Sequence, residues 1–347
     1  MKTNTPEVTV LTPVYNGLPH LKESIESTLN QSYKDFVFLI IDDASPDPEV
    51  LECIKSYKDP RIKLVVNEEN LGVSRTINKA LEIIDTPYVV RSDQDDVNLP
   101  NRVEEQIKFL KENENISIIC SWEHTIDSEG NFGKDWKRKL RNYGEFLGPV
   151  LLGICPIWHP SISFKTQDMI DAGGFKVDYV RAEDFEVTAR LAAKRYEASI
   201  LPKFHLLQRQ HEASQSKEFE NEQANMSNKI QEEVLEKFIN REEVKELAAF
   251  LRLEKPEQKT FDKVHILKVS CLLDKLLKKV SSQQKLRKIE LNSLKNVIYK
   301  RVGWGILFAE QIKFLPSFLF MFIFYSLSPQ FIKKLRDTLK KIYNSVF

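Results

Sequence analysis

Tyr88-Val89-Val90-Arg91-Ser92-Asp93-Gln94-Asp95-Asp96 is the stretch on which the reading of this chain turns. A short β-prone run leads into a cluster of acids, and Leu99-Pro100-Asn101-Arg102 follows. A buried strand is therefore expected to end where several carboxylates gather. Such a cluster repels itself unless it shares a cation. Oxygen-only carboxylate ligands suit hard ions such as Mg2+ or Mn2+. Those ions keep open positions that commonly take phosphate oxygens from a substrate. The alternative is a solvated acidic turn with Asp96 opening a helix, since short acidic motifs recur by chance. What lies at the other strand ends decides between the two.

Upstream, Val8 to Thr12 is a β-branched run ending at Pro13, and it reads as a buried first strand. Tyr15-Asn16-Gly17 is a turn. From Leu18 to Asn30, Leu21, Ile25 and Leu29 recur at intervals of four, which is one face of a helix. Asp35 to Ile41 reads as a second strand ending in Asp42-Asp43, Pro48 to Tyr57 as a helix, and Ile62 to Val66 as a third strand. Ser74 to Ile84 is another helix, and Tyr88 to Arg91 the fourth strand. This alternation predicts an α/β fold with a parallel sheet flanked by helices. Ligands in such sheets sit at the carboxyl ends of the strands. Pro13 to Asn16, Asp42-Asp43, Asn67 with Asn70, and Asp93 with Asp95 all fall at those ends, so they converge on one crevice. There is no G-x-G-x-x-G after the first strand and no G-x-x-x-x-G-K-[ST]. A bound diphosphate is therefore expected to be met by a metal rather than by a glycine-rich loop.

Downstream, Arg102 to Lys111 reads as a helix and Ile116 to Trp122 as a strand. Thr125 to Gly144 reads as a polar, irregular surface loop with Trp136 among basic residues. Pro156-Ile157-Trp158-His159-Pro160 is a rigid turn into a strand over Ser161 to Phe164. Gln167 to Ala172 is a short helix closed by Gly173-Gly174. Glu183-Asp184 opens a helix running to Ala193, and acids in a first helical turn are stabilised by the dipole whether or not they do chemistry. Ser199 to Leu201 and Leu207 to His211 read as two separate strand pieces.

The chain has 347 residues, of which 42% are hydrophobic and 29% charged, as in a soluble globular protein with room for one large domain and an appendage. The formal net charge of +1 hides an asymmetry. From Lys255 onward 19 Lys and Arg face 6 Asp and Glu, so the body is acidic and the carboxy-terminal region basic. Such a region favours anionic surfaces. Cys53, Cys120, Cys155 and Cys271 are scattered without C-x-x-C spacing, which argues against a zinc site and a disulfide scaffold. Met1 to Thr9 lacks the apolar core of a signal peptide, so no export signal is expected there.

From Lys217 the composition changes. Glu218 to Leu253, Val264 to Val280 and Leu286 to Val302 carry apolar residues at helical spacing and are expected to form antiparallel helices. Ile312 to Leu327 is apolar, but Lys313 and Pro316 break its start, and the clean run falls short of the ~20 residues a spanning helix needs. Phe331 to Phe347 reads as a basic amphipathic helix. Peripheral contact with an anionic membrane is the expectation. The alternative is packing on protein, including a homodimer through the carboxy-terminal helices.

An ordered series of motifs resembles family 2 glycosyltransferases, the inverting, nucleotide-sugar-dependent enzymes of GT-A fold. The series comprises Val10-Leu11-Thr12-Pro13-Val14-Tyr15-Asn16, Ile41-Asp42-Asp43-Ala44-Ser45-Pro46-Asp47, Asn70-Leu71-Gly72 and Asp93 through Arg102. It continues with His159-Pro160-Ser161, Gly173-Gly174-Phe175, Glu183-Asp184 and Arg209-Gln210-His211. Each motif is weak alone; their order and spacing look like the family across residues 1–216. The resemblance implies a GT-A, Rossmann-like catalytic domain with a mixed, mostly parallel sheet over 1–216. The α-helical extension over 217–347 has no close counterpart in it.

The roles that follow are those the resemblance implies. Pro13, Tyr15 and Asp43 would hold the nucleoside, Tyr15 by stacking on the base. Asn70 and Arg75 would lie near base and phosphates. Asp93 would face the ribose, and Asp95 would ligate the Mn2+ or Mg2+ that bridges the diphosphate, with Asp93 and His211 completing the metal shell. Asp96 would support them or cap a helix. Asp184 would be the base that deprotonates the acceptor hydroxyl, with Glu183 orienting the acceptor or tuning the base. Trp158 and His159 would shape the acceptor pocket or simply pack. The donor is expected to be UDP-linked. The acceptor is expected to be a hydroxyl of a glycan or lipid-linked glycan in bacterial surface-polysaccharide synthesis, on the cytoplasmic side of the membrane. A sugar-nucleotide-binding or scaffold protein without transfer activity and a nucleotidyltransferase are the rival readings. No nucleic-acid-binding motif is present.

Overall fold

The structure, a computed structural model, describes residues 6–210, 220–252 and 263–308. Chain contacts divide it into two compact units, Met1–Phe146 with Cys155–Ile230 and Leu147–Ile154 with Gln231–Phe347.

The first unit is built on one sheet. Strands β1 (Val8–Val14), β2 (Val37–Asp42), β3 (Ile62–Val66) and β4 (Tyr88–Arg91) run parallel in the order β3-β2-β1-β4. Helices α1 (Leu21–Leu29), α2 (Pro48–Ser56) and α3 (Val73–Ile83) connect them. β1 lies between β2 and β4 and is buried almost throughout, which is why it reads as an unbroken β-branched run rather than an alternating one. Val8, Val10, Phe38, Ile40 and Val90 pack with Leu21 and Ile25 of α1 and with Val50 and Ile54 of α2 to form the core.

The sheet continues past β4 with its direction mixed. β8 (Ser163–Lys165) pairs antiparallel with β4 and with β6 (Ile116–Ile126). β6 pairs parallel with β9 (Glu197–Arg209) and antiparallel with β7 (Phe132–Trp136). The two-residue β5 (Val97–Asn98) closes the edge against β9. Helices α4 (Arg102–Glu112), α5 (Tyr143–Leu151), α6 (Thr166–Ala172) and α7 (Glu183–Ala193) complete the order, with a 3-10 turn at His159–Ser161 before β8. This is the mixed, mostly parallel GT-A architecture that the motif series implies.

Three local expectations are corrected. The Thr125–Gly144 segment is not one irregular loop: β6 runs on to Ile126 and β7 forms a hairpin with it. The hairpin hides in sequence because its outer strand is almost wholly exposed and sets Phe132 and Trp136 around Gly, Lys and Asp with no strand-like alternation. The pieces at Ser199–Leu201 and around Leu207 are one strand of 13 residues. The register with β6 slips between Leu201 and Phe204, so Pro202 and Lys203 bulge outward and disguise its continuity. Asp96 opens no helix. β5 follows it directly, and α4 begins only at Arg102.

In the second unit, α9 (Arg241–Arg252) packs on both α10 (Lys263–Gln283) and α11 (Lys288–Phe308). α8 (Glu220–Glu236) spans the division between the units. Leu247, Leu251, Leu273, Leu276, Val280, Leu294 and Ile298 are buried. No helix of the described residues is long and apolar enough to cross a membrane. The Ile312–Leu327 run and the basic segment after it lie outside the described residues.

Candidate active site

The strand order reverses around β1, with β2 on one side and β4 on the other. Open α/β sheets form their ligand crevice at such a point, beyond the carboxyl ends of the strands.

At the end of β1 the backbone is pinned and a ring is left free. Gln94 of the acidic turn accepts from Tyr15 N at 2.7 Å and donates to Tyr15 O at 3.0 Å. Asn16, at φ 53°, donates its N–H to Ser45 Oγ at 3.0 Å. Tyr15 is 43% exposed, so a fixed backbone at the end of β1 carries an aromatic ring open to a ligand. At the end of β2, Asp43 organises the neighbouring loop. Its Oδ1 accepts from Asn67 Nδ2 at 2.6 Å and Leu71 N at 3.0 Å, and its Oδ2 from Gly72 N at 2.8 Å. Asn70 Oδ1 also accepts from Gly72 N, at 3.0 Å. Arg75 follows in the first turn of α3, exposed and without a partner among the described residues.

At the end of β4 a guanidinium meets the acids. Arg91 forks Asp93, Nη1 to Oδ2 at 2.8 Å and Nη2 to Oδ1 at 2.5 Å. Burial pushes the Asp93 carboxyl up, the Arg91 charge pulls it back, and the Asp95 charge adds to the rise. Asp95 is half-buried on the same turn, and its backbone carbonyl accepts from Arg209 Nε at 3.0 Å. Asp96 is buried and accepts from Arg209 N at 2.8 Å, tying the turn to the end of β9. Arg209 also reaches Glu23 and the Asp127 carbonyl, so this one side chain staples the acidic turn to α1 and to the β6–β7 hairpin.

The far wall is the His159-Pro160-Ser161 turn. Its three carbonyls accept in succession from Arg91 Nη1 at 3.3 Å, Arg102 Nη2 at 3.1 Å and Gln106 Nε2 at 2.9 Å. Arg102 is fully buried and donates as well to Arg91 O at 2.6 Å and Asn98 Oδ1 at 2.5 Å. Burial lowers its pKa to about 10.

Glu183 and Asp184 occupy the first turn of α7, both half-buried. Asp184 Oδ1 accepts from Phe185 N at 2.6 Å. Burial raises the pKa of each. Asp184 adds to the rise of Glu183, and the Arg91 charge opposes both. Arg91 is thus near enough to act on the acids at the end of β4 and on those of α7. The helix itself is moored by Arg190, which pairs with Glu186 at 2.8 and 2.9 Å and donates to the Ala172 and Gly174 carbonyls. Asn78 of α3 completes the mooring with two hydrogen bonds to the Phe175 backbone, at 2.7 and 2.8 Å.

The structure gathers Pro13, Tyr15, Asp43, Asn70, Arg75, Asp93 and Asp95 around the strand ends, and the Arg91 charge acts on Glu183 and Asp184 as well. His211 lies outside the described residues. Arg91 and Glu123 were not singled out from sequence, and Arg209 stood there only as a motif residue without a role. Glu123 is fully buried on β6 with both carboxylate oxygens lacking a hydrogen-bond partner. Burial pushes its pKa up to about 7, against the neighbouring Ser161 hydroxyl and the Arg102 charge. A charged residue inside a strand is no strand signal, which hid it.

The chemistry of the donor set suits a hard divalent cation. Asp95 and Asp93 offer only oxygen, and Mg2+-type ions are commonly held by one or two carboxylates with substrate phosphates completing the shell. Among the described residues no three His, Cys, Asp or Glu side chains are grouped closely enough to hold an ion alone. Asp95 and Asp93 would be the residues to hold such an ion, whose charge would offset that of a bound diphosphate.

The fold and site define a glycosyltransferase of GT-A type. The model of the family described as "Glycosyl transferase family 2" matches residues 9–169. An uncharacterized glycosyltransferase of Methanocaldococcus jannaschii is 34% identical over 204 residues, 58% of this chain and 70% of that one. Two further relatives are matched over only 20% and 46% of their own length. Staphylococcus aureus TarS 1-349 superposes with a TM-score of 0.53 at 14% identity, covering 87% of each chain. The mannosyltransferase PcManGT of Pyrobaculum calidifontis, solved with GDP-Man and Mn2+, gives 0.50 at 17% identity, over 90% of this chain and 89% of that one. The chain belongs to glycosyltransferase family 2.

Proposed function

We propose that this glycosyltransferase is metal-dependent and inverting. It moves a sugar from a UDP-linked donor to a hydroxyl of a glycan or lipid-linked glycan in bacterial surface-polysaccharide assembly. The observation that carries the reading is the position of Arg91, which forks Asp93 and acts electrostatically on Asp184. It supports a reading in which Asp93 on the donor side and Asp184 as the base work around one crevice.

Tyr15 stacks on the nucleobase, and Asp43, with Pro13, holds the loop that receives the nucleoside. Asn70 and Arg75 meet base and phosphates. Asp93 faces the ribose, and Asp95 holds Mn2+ or Mg2+, with His211 a further candidate ligand. The bound ion would neutralise the departing diphosphate as a Lewis acid. Asp184 takes the proton of the attacking hydroxyl, and Glu183 orients the acceptor. Burial of Asp184 suits it to the base role, because a raised carboxylate holds a proton more firmly at neutral pH. A TarS 1-349 structure in complex with UDP, superposing at a TM-score of 0.50, supports the donor class, and the PcManGT complex supports a divalent ion. The basic segment after Phe331 makes peripheral contact with the inner face of the cell membrane, and the carboxy-terminal helices offer a surface for a homodimer.

A thermal-shift screen of UDP-sugars and GDP-mannose, each with Mn2+ or Mg2+, tests the donor assignment. Stabilisation by UDP-sugars only when metal is present is the expected outcome. Stabilisation by GDP-mannose alone, or metal-independent binding, would overturn it.

A further inference from the structure

Trp136 and Arg138 have no role in the reading above, and for Trp158 the sequence left open whether it shapes an acceptor pocket or only packs. We propose that Trp136, Trp158 and Arg138 form the subsite that receives the acceptor sugar, and that this acceptor carries an anionic group, a carboxylate or a phosphate. The proposal rests on the glycosyltransferase reading of the same crevice.

Trp136 is the cross-strand partner of Glu123. Directly paired residues leave a sheet on the same face, so Trp136 emerges on the face where Glu123 lies buried by Arg102 and Ser161. Trp122 and His124 flank Glu123 in sequence and leave on the other face, where both pack against Phe204. The Trp136 ring lies against that of Trp158, centroids 4.7 Å apart and planes at 46°. Trp158 directly precedes His159, whose carbonyl is bonded to Arg91.

Arg138 joins this pair to the candidate base. Its guanidinium carbon sits 4.4 Å from the Trp158 ring centroid, and its Nη1 donates to the Cys155 carbonyl at 2.8 Å. Cys155 Sγ lies 3.8 Å from the Thr188 hydroxyl, one turn along α7 from Asp184, and that carboxylate adds to the rise that burial gives the thiol. Trp136, Trp158 and Arg138 are all half-buried, so each keeps part of its surface for a ligand.

The chemistry of these groups selects the ligand. One face of a pyranose is a row of C–H groups, which packs on the electron-rich face of an indole. A guanidinium stacked on an aromatic ring still offers planar N–H donors that suit a carboxylate or phosphate. The surroundings favour the same sign. Between Phe132 and Arg141 there are five Lys and Arg against one Asp. Lys134 and Lys139 are exposed and without partners among the described residues.

Saturation-transfer NMR on the full chain tests this, with methyl β-glucuronide, glucose 6-phosphate and neutral methyl β-glucoside as probes. At least one anionic sugar is expected to receive signal through its ring C–H protons, with the neutral glucoside at least threefold weaker. Which anion responds separates carboxylate from phosphate recognition. Trp136→Ala should abolish the signal, Trp136→Phe should keep part of it, and Arg138→Gln should erase the preference for charge. Equal signals from neutral and anionic sugars, an unchanged signal in Trp136→Ala, or no signal from any probe would each overturn the proposal. UDP-induced thermal stabilisation, measured on the same samples without sugar probes, reports the donor side separately. Its loss in the wild type would sink the donor assignment, not the subsite. Its retention in Trp136→Ala confirms that the variant is folded.

Discussion

Arg91 closes on Asp93 with both arms of its guanidinium, at 2.5 and 2.8 Å, and the same side chain donates to the carbonyl of His159. One buried cation thus positions the acid at the end of β4 and the turn on the opposite wall. It also pulls the raised pKa of Asp184 back toward its ordinary value.

Arg91→Met should therefore have two effects. With the fork gone, donor KM should rise roughly tenfold or more, as when a charge-assisted bidentate pair is lost. A general base works deprotonated, so the rate falls as pH drops through its pKa. Removing the Arg91 charge raises that pKa further and should move the acid limb to higher pH. Arg91→Lys, which keeps the charge but cannot fork a carboxylate, should raise donor KM while leaving the acid limb near its wild-type position. The pH dependence of kcat and kcat/KM checks both effects.

Glu123 should make stability pH-dependent in an unusual sense. Its pKa is raised on folding to about 7 from 4.5, so the folded chain binds the extra proton between those values. Its contribution is fully present below the unfolded pKa and is lost as pH rises through about 7. The penalty above that pH is on the order of 3 kcal/mol. Glu123→Gln should be more stable than wild type at pH 8 and lose that advantage near pH 5. Urea melts of both proteins across that range give the comparison.

Gly174→Ala should destabilise by about 2–4 kcal/mol. Gly174 has φ 60°, and a Cβ there would collide with Asn78 Oδ1, the atom that accepts from Phe175 N. Gly130→Ala is the control. It too has a positive φ, 89°, but nothing stands near its Cβ position, so only the backbone cost of about 1 kcal/mol should appear. Chemical denaturation of the two variants measures the difference.

Deletion of 312–347 should move the protein from the membrane fraction to the soluble fraction on cell fractionation. An unchanged distribution would retire the membrane assignment.

The parallel half of the sheet was legible because β1, β2 and β4 are buried on both faces and therefore mostly apolar, and because the helices between the strands carry clean apolar stripes such as Leu21, Ile25 and Leu29. The acidic turn and the Glu183-Asp184 pair were legible as residue types at strand and helix ends. What escaped depends on partners distant in sequence. Arg91 read as the last residue of a strand, and only the fold puts its head group on Asp93 and beneath His159. Arg209 was visible as a motif residue, but its stapling of Asp95, Glu23 and the hairpin spans up to 186 residues. β7 was missed because an exposed two-stranded edge needs no apolar pattern. The long β9 was missed because Pro202 sits at a bulge, where a strand tolerates it.

The central claim is that Asp184 is the base of a sugar transfer whose donor is held at the other end of Arg91. Asp184→Asn tests it most directly, with transfer measured alongside the thermal shift produced by UDP-sugar and Mn2+. Transfer reduced by 100-fold or more with the shift intact is the predicted result, in line with the contribution of a positioned general base. Transfer within threefold of wild type in a variant that still binds donor would contradict it.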